Sequence, residues 1–333
     1  MFFSNILIKY FEIIRILLYR NIKIPYLNLE KKIIDITTFY LNKKLYDKKV
    51  LDYIKSEKIN FENLPILKKS NLKILNYGDL VDIIKIKSNE VSTCHIIASG
   101  SSVLDSYKKI NKNDIVIGFN FSALLDIKFD LYFVEIGTED QQLLSIVSDV
   151  QHHLLKTNMT KIKKVIYKNI WEKKIDISYI SRKYSCPIIA VKDIYLNTTW
   201  SEYDFLDAKI IVKNLLSLDE EYMKQSFTTT LTCLILAIHC SFKEVIIHGW
   251  DFFGPHFYCS DDFEWPSGLP QSNIEYLKKV SNNSNIHLTF EKKLLIVLKQ
   301  LKNKSKTLKI NIYSASNKSY LSNIFPVYKF EKK

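Results

Sequence analysis

The 333-residue chain has little glycine, little proline and almost no arginine: 7 Gly, 7 Pro, and only Arg15, Arg20 and Arg182 among 48 basic residues. Scarce Gly and Pro, with 47% hydrophobic residues, exclude a disordered chain and supply a sizeable core. The shortage of guanidinium groups argues against nucleic acid as the partner of a chain with net charge +13, because base reading and bidentate phosphate contacts favour the arginine fork. The lysines are scattered. They fit attraction to an anionic membrane face or acidic substrates, or simply a lysine-biased surface. The five cysteines (94, 186, 233, 240 and 259) are odd in number and contain no Cys-x-x-Cys, so neither a disulfide scaffold nor a zinc site is expected. Cys94, Cys233 and Cys240 lie in apolar runs and are expected as buried thiols in a reducing compartment.

Several catalytic signatures are also missing. There is no Asp-x-Asp to hold a metal under a sugar nucleotide, and Asp261-Asp262 reads as surface. There is no Gly-x-x-x-x-Gly-Lys-Ser/Thr phosphate loop and no Gly-x-Ser-x-Gly elbow. His152-His153 reads as surface. No metal and no cofactor are expected.

What is present begins with residues 1–20, MFFSNILIKYFEIIRILLYR. Their polar residues recur every three to four positions and form a narrow stripe on a helix. Lysine or arginine at a bilayer centre costs roughly 2.5–3.5 kcal/mol each, which disfavours a spanning helix. The absence of a small-residue cleavage site disfavours a signal peptide. An interfacial helix on a membrane and a helix packed on the protein both remain open. The location expected is cytoplasmic, on the inner face of the inner membrane if the helix is interfacial.

Residues 29–90 read as helical and irregular, so the expected organisation is an N-terminal helical extension, 1–90, and a catalytic domain, 91–333. From Cys94 onward short apolar runs recur at 115–119, 131–134, 165–167, 188–191, 245–248 and 308–313. Helical patterns fall at 140–156, 230–240, 273–280 and 290–301. Alternation of this kind predicts an α/β, Rossmann-like, mainly parallel sheet with helices on both faces. Ligands of such sheets bind beyond the carboxyl ends of the strands.

The residues that follow the predicted strands are accordingly the candidates. After the first comes Ser99-Gly100-Ser101-Ser102, read as a tight turn and helix start able to cradle a phosphate. Asn120 and Glu135 follow the second and third. Thr228, Thr229 and Thr230 precede an apolar helix; they are cap candidates, and three in a row exceed what one cap needs. Gly249-Trp250-Asp251 closes a buried strand, and Asp251 is a cap or a ribose ligand. Residues 253–268, with His256 and Tyr258, read as an active-site loop. His287 stands before a late helix and titrates near neutrality if exposed.

Together these motifs resemble one family over about residues 94–325, the bacterial lipooligosaccharide sialyltransferases that use CMP-sialic acid. The family's Gly-Asn-Gly-Pro-Ser-Leu turn is similar to Ala98–Val103, and its Cys-Asn-Gln to Phe119-Asn120-Phe121. Its Thr-Ser-Gly is similar to Thr228–Thr230. The most specific piece is Lys-Glu-Ile-Tyr-Leu-x-Gly-Ile-Asp-Phe-Tyr, which resembles Lys243–Phe253. A late histidine resembles His287, and a closing Tyr/Cys-x-x-x-Asn-Ser segment resembles Tyr313–Ser319, with Asn317 in the donor site.

The resemblance implies metal-independent inverting transfer of sialic acid, or a related nonulosonic acid, from a CMP-sugar to a surface glycan such as lipooligosaccharide or capsule. It implies contacts to CMP from Ser99, Gly100, Asn120 and Thr229, a hydrogen bond from Tyr258 to the departing phosphate, and His287 as base. Ser101, Ser102, Glu135, Thr228, Thr230, Gly249, Asp251 and His256 complete the expected nucleotide-sugar site. Two departures stand out: Phe253 replaces a phosphate-binding tyrosine, and Glu135 replaces an asparagine. The expected partners are the donor, a glycan or glycolipid acceptor, a peripheral membrane contact through residues 1–20, and a second copy of the chain. A motility-associated nonulosonic-acid transferase, a diphosphokinase-like enzyme and a non-catalytic nucleotide-binding protein of a polysaccharide locus are the alternatives.

Overall fold

The computed structural model describes residues 72–135, 165–168, 188–191, 193–197, 208–261, 263–282 and 292–331. These belong to one compact unit, Asp52–Lys333. The expectations for residues 1–20, the helix at 140–156, His152-His153, Cys186 and His287 fall outside the described residues.

Eight strands form one sheet: β1 (Leu72–Leu75), β2 (Thr93–Ile97), β3 (Ile115–Phe119), β4 (Leu131–Glu135), β5 (Val165–Lys168), β6 (Ile188–Val191), β9 (Glu244–His248) and β10 (Asn311–Ser314). The spatial order is β1-β6-β5-β4-β3-β2-β9-β10, and every pairing is parallel. A separate parallel pair joins β7 (Asp193–Asn197) to β8 (Met223–Ser226). The helices are α1 (Tyr77–Ser88), α2 (Ala208–Leu216), α3 (Thr229–His239), α4 (Gln271–Asn282) and α5 (Lys292–Thr307).

The parallel α/β expectation holds, and the central strands explain why it was readable. β2, β3 and β9 are buried along nearly their whole length, so both faces favour apolar residues; β3 is a continuous apolar run, while β2 carries His95 and β9 ends in His248. Helix α3 is buried from Thr229 to Ile238, a helix covered on all sides. Cys94, Cys233 and Cys240 are buried free thiols, as expected.

The sheet begins earlier than expected. β1 pairs with β6, and α1 follows it, so residues assigned to the extension belong to the α/β body. Leu72-Lys-Ile-Leu75 is only four residues long, too short to stand out as a strand in the sequence. At the other end, the run 308–313 is split: Leu308 lies in the turn after α5, and the strand is Asn311–Ser314.

Strand order locates the site. From β2 the chain steps outward through β3, β4, β5 and β6, then returns to lay β9 on the other side of β2 and continues to β10. Right-handed crossovers running in opposite directions put their connections on opposite faces of the sheet. Their divergence between β2 and β9 leaves a topological switch point at the carboxyl ends of those two strands.

Candidate functional site

The ladder between β2 and β9 continues past the strands. Ala98 N–H donates to His248 O at 2.9 Å, and Gly100 N–H to Gly249 O at 2.8 Å. The turns after the two strands are thereby locked side by side. Ser102 then donates twice to Asp251: its N–H to Oδ2 at 2.8 Å and its hydroxyl to Oδ1 at 2.5 Å. Gly100 sits where only hydrogen fits, since a Cβ there would meet Asp251 Oδ2 at 2.5 Å and Gly249 O at 2.6 Å. Gly249 adopts φ +65°, a conformation natural to glycine.

The loop after β9 folds back onto the serine turn. Gly100 and His256 form an antiparallel bridge, and Phe257 N–H donates to Ser99 O at 2.9 Å. His256 Nδ1 lies 3.3 Å from the same carbonyl. Burial lowers the His256 pKa, and the Ser99 carbonyl partly offsets this. The imidazole is therefore neutral near pH 7, with its Nδ1 proton directed at Ser99 O. Its ring stacks on Tyr258, centroids 5.1 Å apart and planes 11° from parallel. Tyr258 is buried and meets Phe121, beyond β3, edge to face at 5.3 Å. Trp265 packs on the other side at 5.6 Å, with its buried indole N–H lacking an acceptor among the described residues. Three strand ends (β2, β3 and β9) thus converge on Tyr258.

Five described residues other than glycine have left-handed backbone. Three follow strands: Asn120 after β3 with φ 52°, Phe227 after β8 with φ 58° and Phe252 after β9 with φ 65°; Ser241 and Lys309 lie in the turns after α3 and α5. Left-handed backbone at residues other than glycine costs energy and persists where the surroundings enforce it, often at functional sites. At Asn120 the enforcement includes the Tyr132 hydroxyl, which donates to the Asn120 carbonyl.

The structure changes several readings. The serine turn does not open an α-helix; it opens a 3-10 turn of five residues, Ser101–Asp105, followed by another at Tyr107–Lys109. No long helix dipole points at the turn. The N–H groups of Gly100 and Ser102 are already bonded to Gly249 and Asp251, which leaves Ser99 and Ser101 to offer hydroxyls, Ser101 in an exposed position. The Asp251 carboxylate occupies part of the cradle expected for an anion.

Thr228 caps α3, its hydroxyl accepting from Leu231 N–H at 3.1 Å, while Thr229 and Thr230 are buried. α3 ends four residues before β9 begins, so it runs antiparallel to that strand and starts at the carboxyl side of the sheet. The threonines and the serine turn therefore share one edge. Glu135 ends β4, its backbone in register with Lys168. Asn317 follows β10, which is parallel to β9, and lines a cavity of about 850 Å³ with Asp105 of the serine turn, Lys108, Lys109, Tyr328 and Phe330.

Four polar residues escaped the sequence reading. His95, His248 and Ser106 are almost fully buried, and with Asp114 they form a continuous hydrogen-bonded chain. The available signal was an imidazole inside each of two apolar runs, Thr-Cys-His-Ile-Ile and Glu-Val-Ile-Ile-His. Among the described residues no group of three or more His, Cys, Asp or Glu side chains is placed to hold a metal ion, and no helix is long and apolar enough to cross a membrane.

No family model and no curated protein matches the chain. Solved structures similar to it at low identity include the following three. Against the monofunctional α-2,3-sialyltransferase Cst-I from Campylobacter jejuni, identity is 17%, covering 74% of this chain and 84% of that one, with TM-score 0.43. Against the sialyltransferase CstII from Campylobacter jejuni with the substrate analogue CMP-3FNeuAc, the values are 14%, 72%, 89% and 0.44. Against sialyltransferase CST-II with a trisaccharide acceptor and CMP, they are 16%, 72%, 86% and 0.40. The fold assignment rests on the strand order and pairing of this chain itself.

Proposed function

We propose that this protein is a glycosyltransferase that moves sialic acid, or a related nonulosonic acid, from a CMP-sugar to a bacterial surface glycan. The observation that carries this reading is the meeting of two motif-bearing segments, Ser99–Ser102 and Gly249–Tyr258, at the switch point between β2 and β9. Doubly wound sheets bind nucleotides at such crevices. The Lys243–Phe253 resemblance supplies the chemical class.

In this reading Asp251 organises the serine turn, and the Ser99 and Ser101 hydroxyls face the nucleotide. The bond between the sugar's anomeric carbon and the CMP phosphate oxygen breaks, and CMP leaves with the electron pair. An acceptor hydroxyl forms the new bond on the opposite face, through an oxocarbenium-like state. Tyr258 donates to the departing phosphate, so that no cation is needed for its charge. His287 takes the acceptor's proton; a base near neutral pKa typically contributes about 10²–10⁴-fold. Residues 1–20 hold the enzyme on the cytoplasmic face of a membrane, close to a glycolipid acceptor.

The test is thermal unfolding with a panel of nucleotides, followed by donor profiling. CMP or CMP-sialic acid should raise the midpoint while ATP, UDP and GDP do not. His287→Ala should retain this protection and lose turnover. Equal protection by all four nucleotides, or none by CMP, overturns the donor assignment. Full turnover by His287→Ala removes that residue from the mechanism.

A further inference from the structure

The chain of polar residues through the sheet has a definite direction. Asp114 Oδ2 lies 3.0 Å from His95 Nε2, His95 Nδ1 lies 2.9 Å from His248 Nε2, and His248 Nδ1 lies 2.7 Å from Ser106 Oγ. His95, His248 and Ser106 are each no more than 1% exposed. Asp114 directly precedes β3, His95 is central in β2, His248 ends β9, and Ser106 ends the turn after β2. The chain therefore runs from the amino side of the sheet to the carboxyl edge where the serine turn lies.

Its protons follow from valence. A carboxylate only accepts, so His95 carries its proton on Nε2. In a neutral imidazole Nδ1 is then an acceptor, so the proton between the rings belongs to His248 Nε2. His248 Nδ1 is in turn an acceptor, and Ser106 must donate its hydroxyl to it. One carboxylate sets the polarity of three hydrogen bonds. Without it the reverse polarity is equally allowed: His95 Nδ1–H donates to His248, His248 Nδ1–H donates to Ser106, and the Ser106 hydroxyl turns to the Val103 carbonyl at 3.4 Å.

The far end of this chain matters because it reaches the C-terminal end of the serine turn, where Ser106 follows Asp105. The turn is a 3-10 segment with no side-chain cap. Asp251 holds it at Ser102 and His248 holds it at Ser106. Both anchors stand at the end of β9, across the switch point.

We propose that Asp114 is a positioning residue for the serine turn, acting through the tautomers it imposes on His95 and His248. This rests on the reading of that turn as part of the donor site. Asp114 touches no substrate; its effect is to keep Ser106 a donor to His248 and so hold Ser99–Ser102 in one geometry.

The experiment is long-range proton–nitrogen NMR of the histidine rings in the full-length protein, with CMP affinity measured by calorimetry. The wild type should show both imidazoles as the single Nε2–H tautomer at pH 7.5. Asp114→Ala should give mixed tautomers at both rings, faster amide exchange at Ser102–Ser106, and CMP affinity about tenfold weaker. Asp114→Glu, whose carboxylate can only accept from His95 Nε2–H, should keep the tautomers and stay within about twofold of wild type, whereas Asp114→Asn, able to accept or donate, should mix them. An Nδ1–H tautomer at His248 in the wild type overturns the proposal. So do unchanged tautomers or unchanged Ser102–Ser106 exchange in Asp114→Ala, or tautomers in Asp114→Glu mixed as fully as in Asp114→Ala. If wild type fails to bind CMP the donor assignment falls, and the tautomers together with amide exchange still decide the relay.

Discussion

Asp251 takes both hydrogen bonds that Ser102 donates, at 2.8 Å from the backbone N–H and 2.5 Å from the hydroxyl, and so ties the turn after β2 to the turn after β9. The pair is buried. Removing the carboxylate leaves two buried donors without acceptors, each costing about 1–3 kcal/mol. Asp251→Ala should therefore lower stability by about 2–4 kcal/mol, and Asp251→Asn by less, because one amide oxygen still accepts. Urea midpoints of the two variants and wild type measure this. An alanine variant within about 0.5 kcal/mol of wild type, the usual spread for featureless surface changes, would mean that the pair does not hold the switch point together.

Gly100 supplies a second, purely steric prediction. Its φ of −70° suits any residue, so the requirement for glycine is close approach alone. An added Cβ would lie 2.6 Å from the Gly249 carbonyl oxygen, a backbone atom that cannot rotate away. Gly100→Ala should cost about 1–3 kcal/mol, as forced overpacking does. Gly254 is the control: its φ is +84° but nothing lies within 4 Å of an added Cβ. Gly254→Ala should cost only the left-handed penalty, about 1–2 kcal/mol. Equal or reversed effects, read from chemical denaturation, would place the constraint in the backbone angle instead of the contact.

The sequence was most informative where burial is two-sided. β2, β3 and β9 announced themselves as mostly apolar runs because both faces are covered, and Thr228 announced a helix start because a hydroxyl cap is a local device. β7 and β8 did not: Asp-Ile-Tyr-Leu-Asn and Met-Lys-Gln-Ser carry no continuous apolar signal, and they pair only with each other. The serine turn looked like a helix start because Ser101-Ser102 resembles a cap. Its actual form depends on bonds to Asp251, 149 positions away, which no local pattern records. The convergence of His256, Tyr258 and Phe121 is equally non-local, and so is the pairing of His95 with His248.

The histidines give the protein a defined acid sensitivity. Burial holds the His248 pKa well below its ordinary value, and the repulsion a proton on His248 would meet from one on neighbouring His95 adds to this. Burial takes His239 down to about 4, helped by Lys224 and Lys85 and opposed by the Leu216 and Leu215 carbonyls. His256 is lowered as well. Above about pH 6.5, the ordinary histidine value, all three are neutral whether the chain is folded or unfolded. Below it the unfolded chain binds protons that the folded chain refuses, so stability falls as pH falls, by up to about 1.4 kcal/mol per pH unit for each histidine. For His239 the loss runs from about pH 6.5 to about 4. Urea midpoints should be flat from pH 8 to 7 and decline from 6.5 to 5. His239→Gln should make the decline shallower; an unchanged slope would exclude it as a contributor.

Tyr258 offers the sharpest link between packing and the proposed chemistry. Its ring stacks on His256 and makes edge-to-face contacts with Phe121 and Trp265, so Tyr258→Phe keeps these ring contacts and removes the hydroxyl. If that hydroxyl stabilises charge developing on the departing CMP phosphate, its interaction is stronger in the transition state than in the bound donor. The expected signature is kcat reduced by about 10²-fold with CMP affinity nearly unchanged. Phe253, five residues earlier, carries no hydroxyl and cannot take over this role. Steady-state kinetics with CMP-sialic acid and calorimetry with CMP separate the outcomes. A weaker affinity at unchanged kcat would make Tyr258 a ground-state binding residue, and no change in either would confine it to the core.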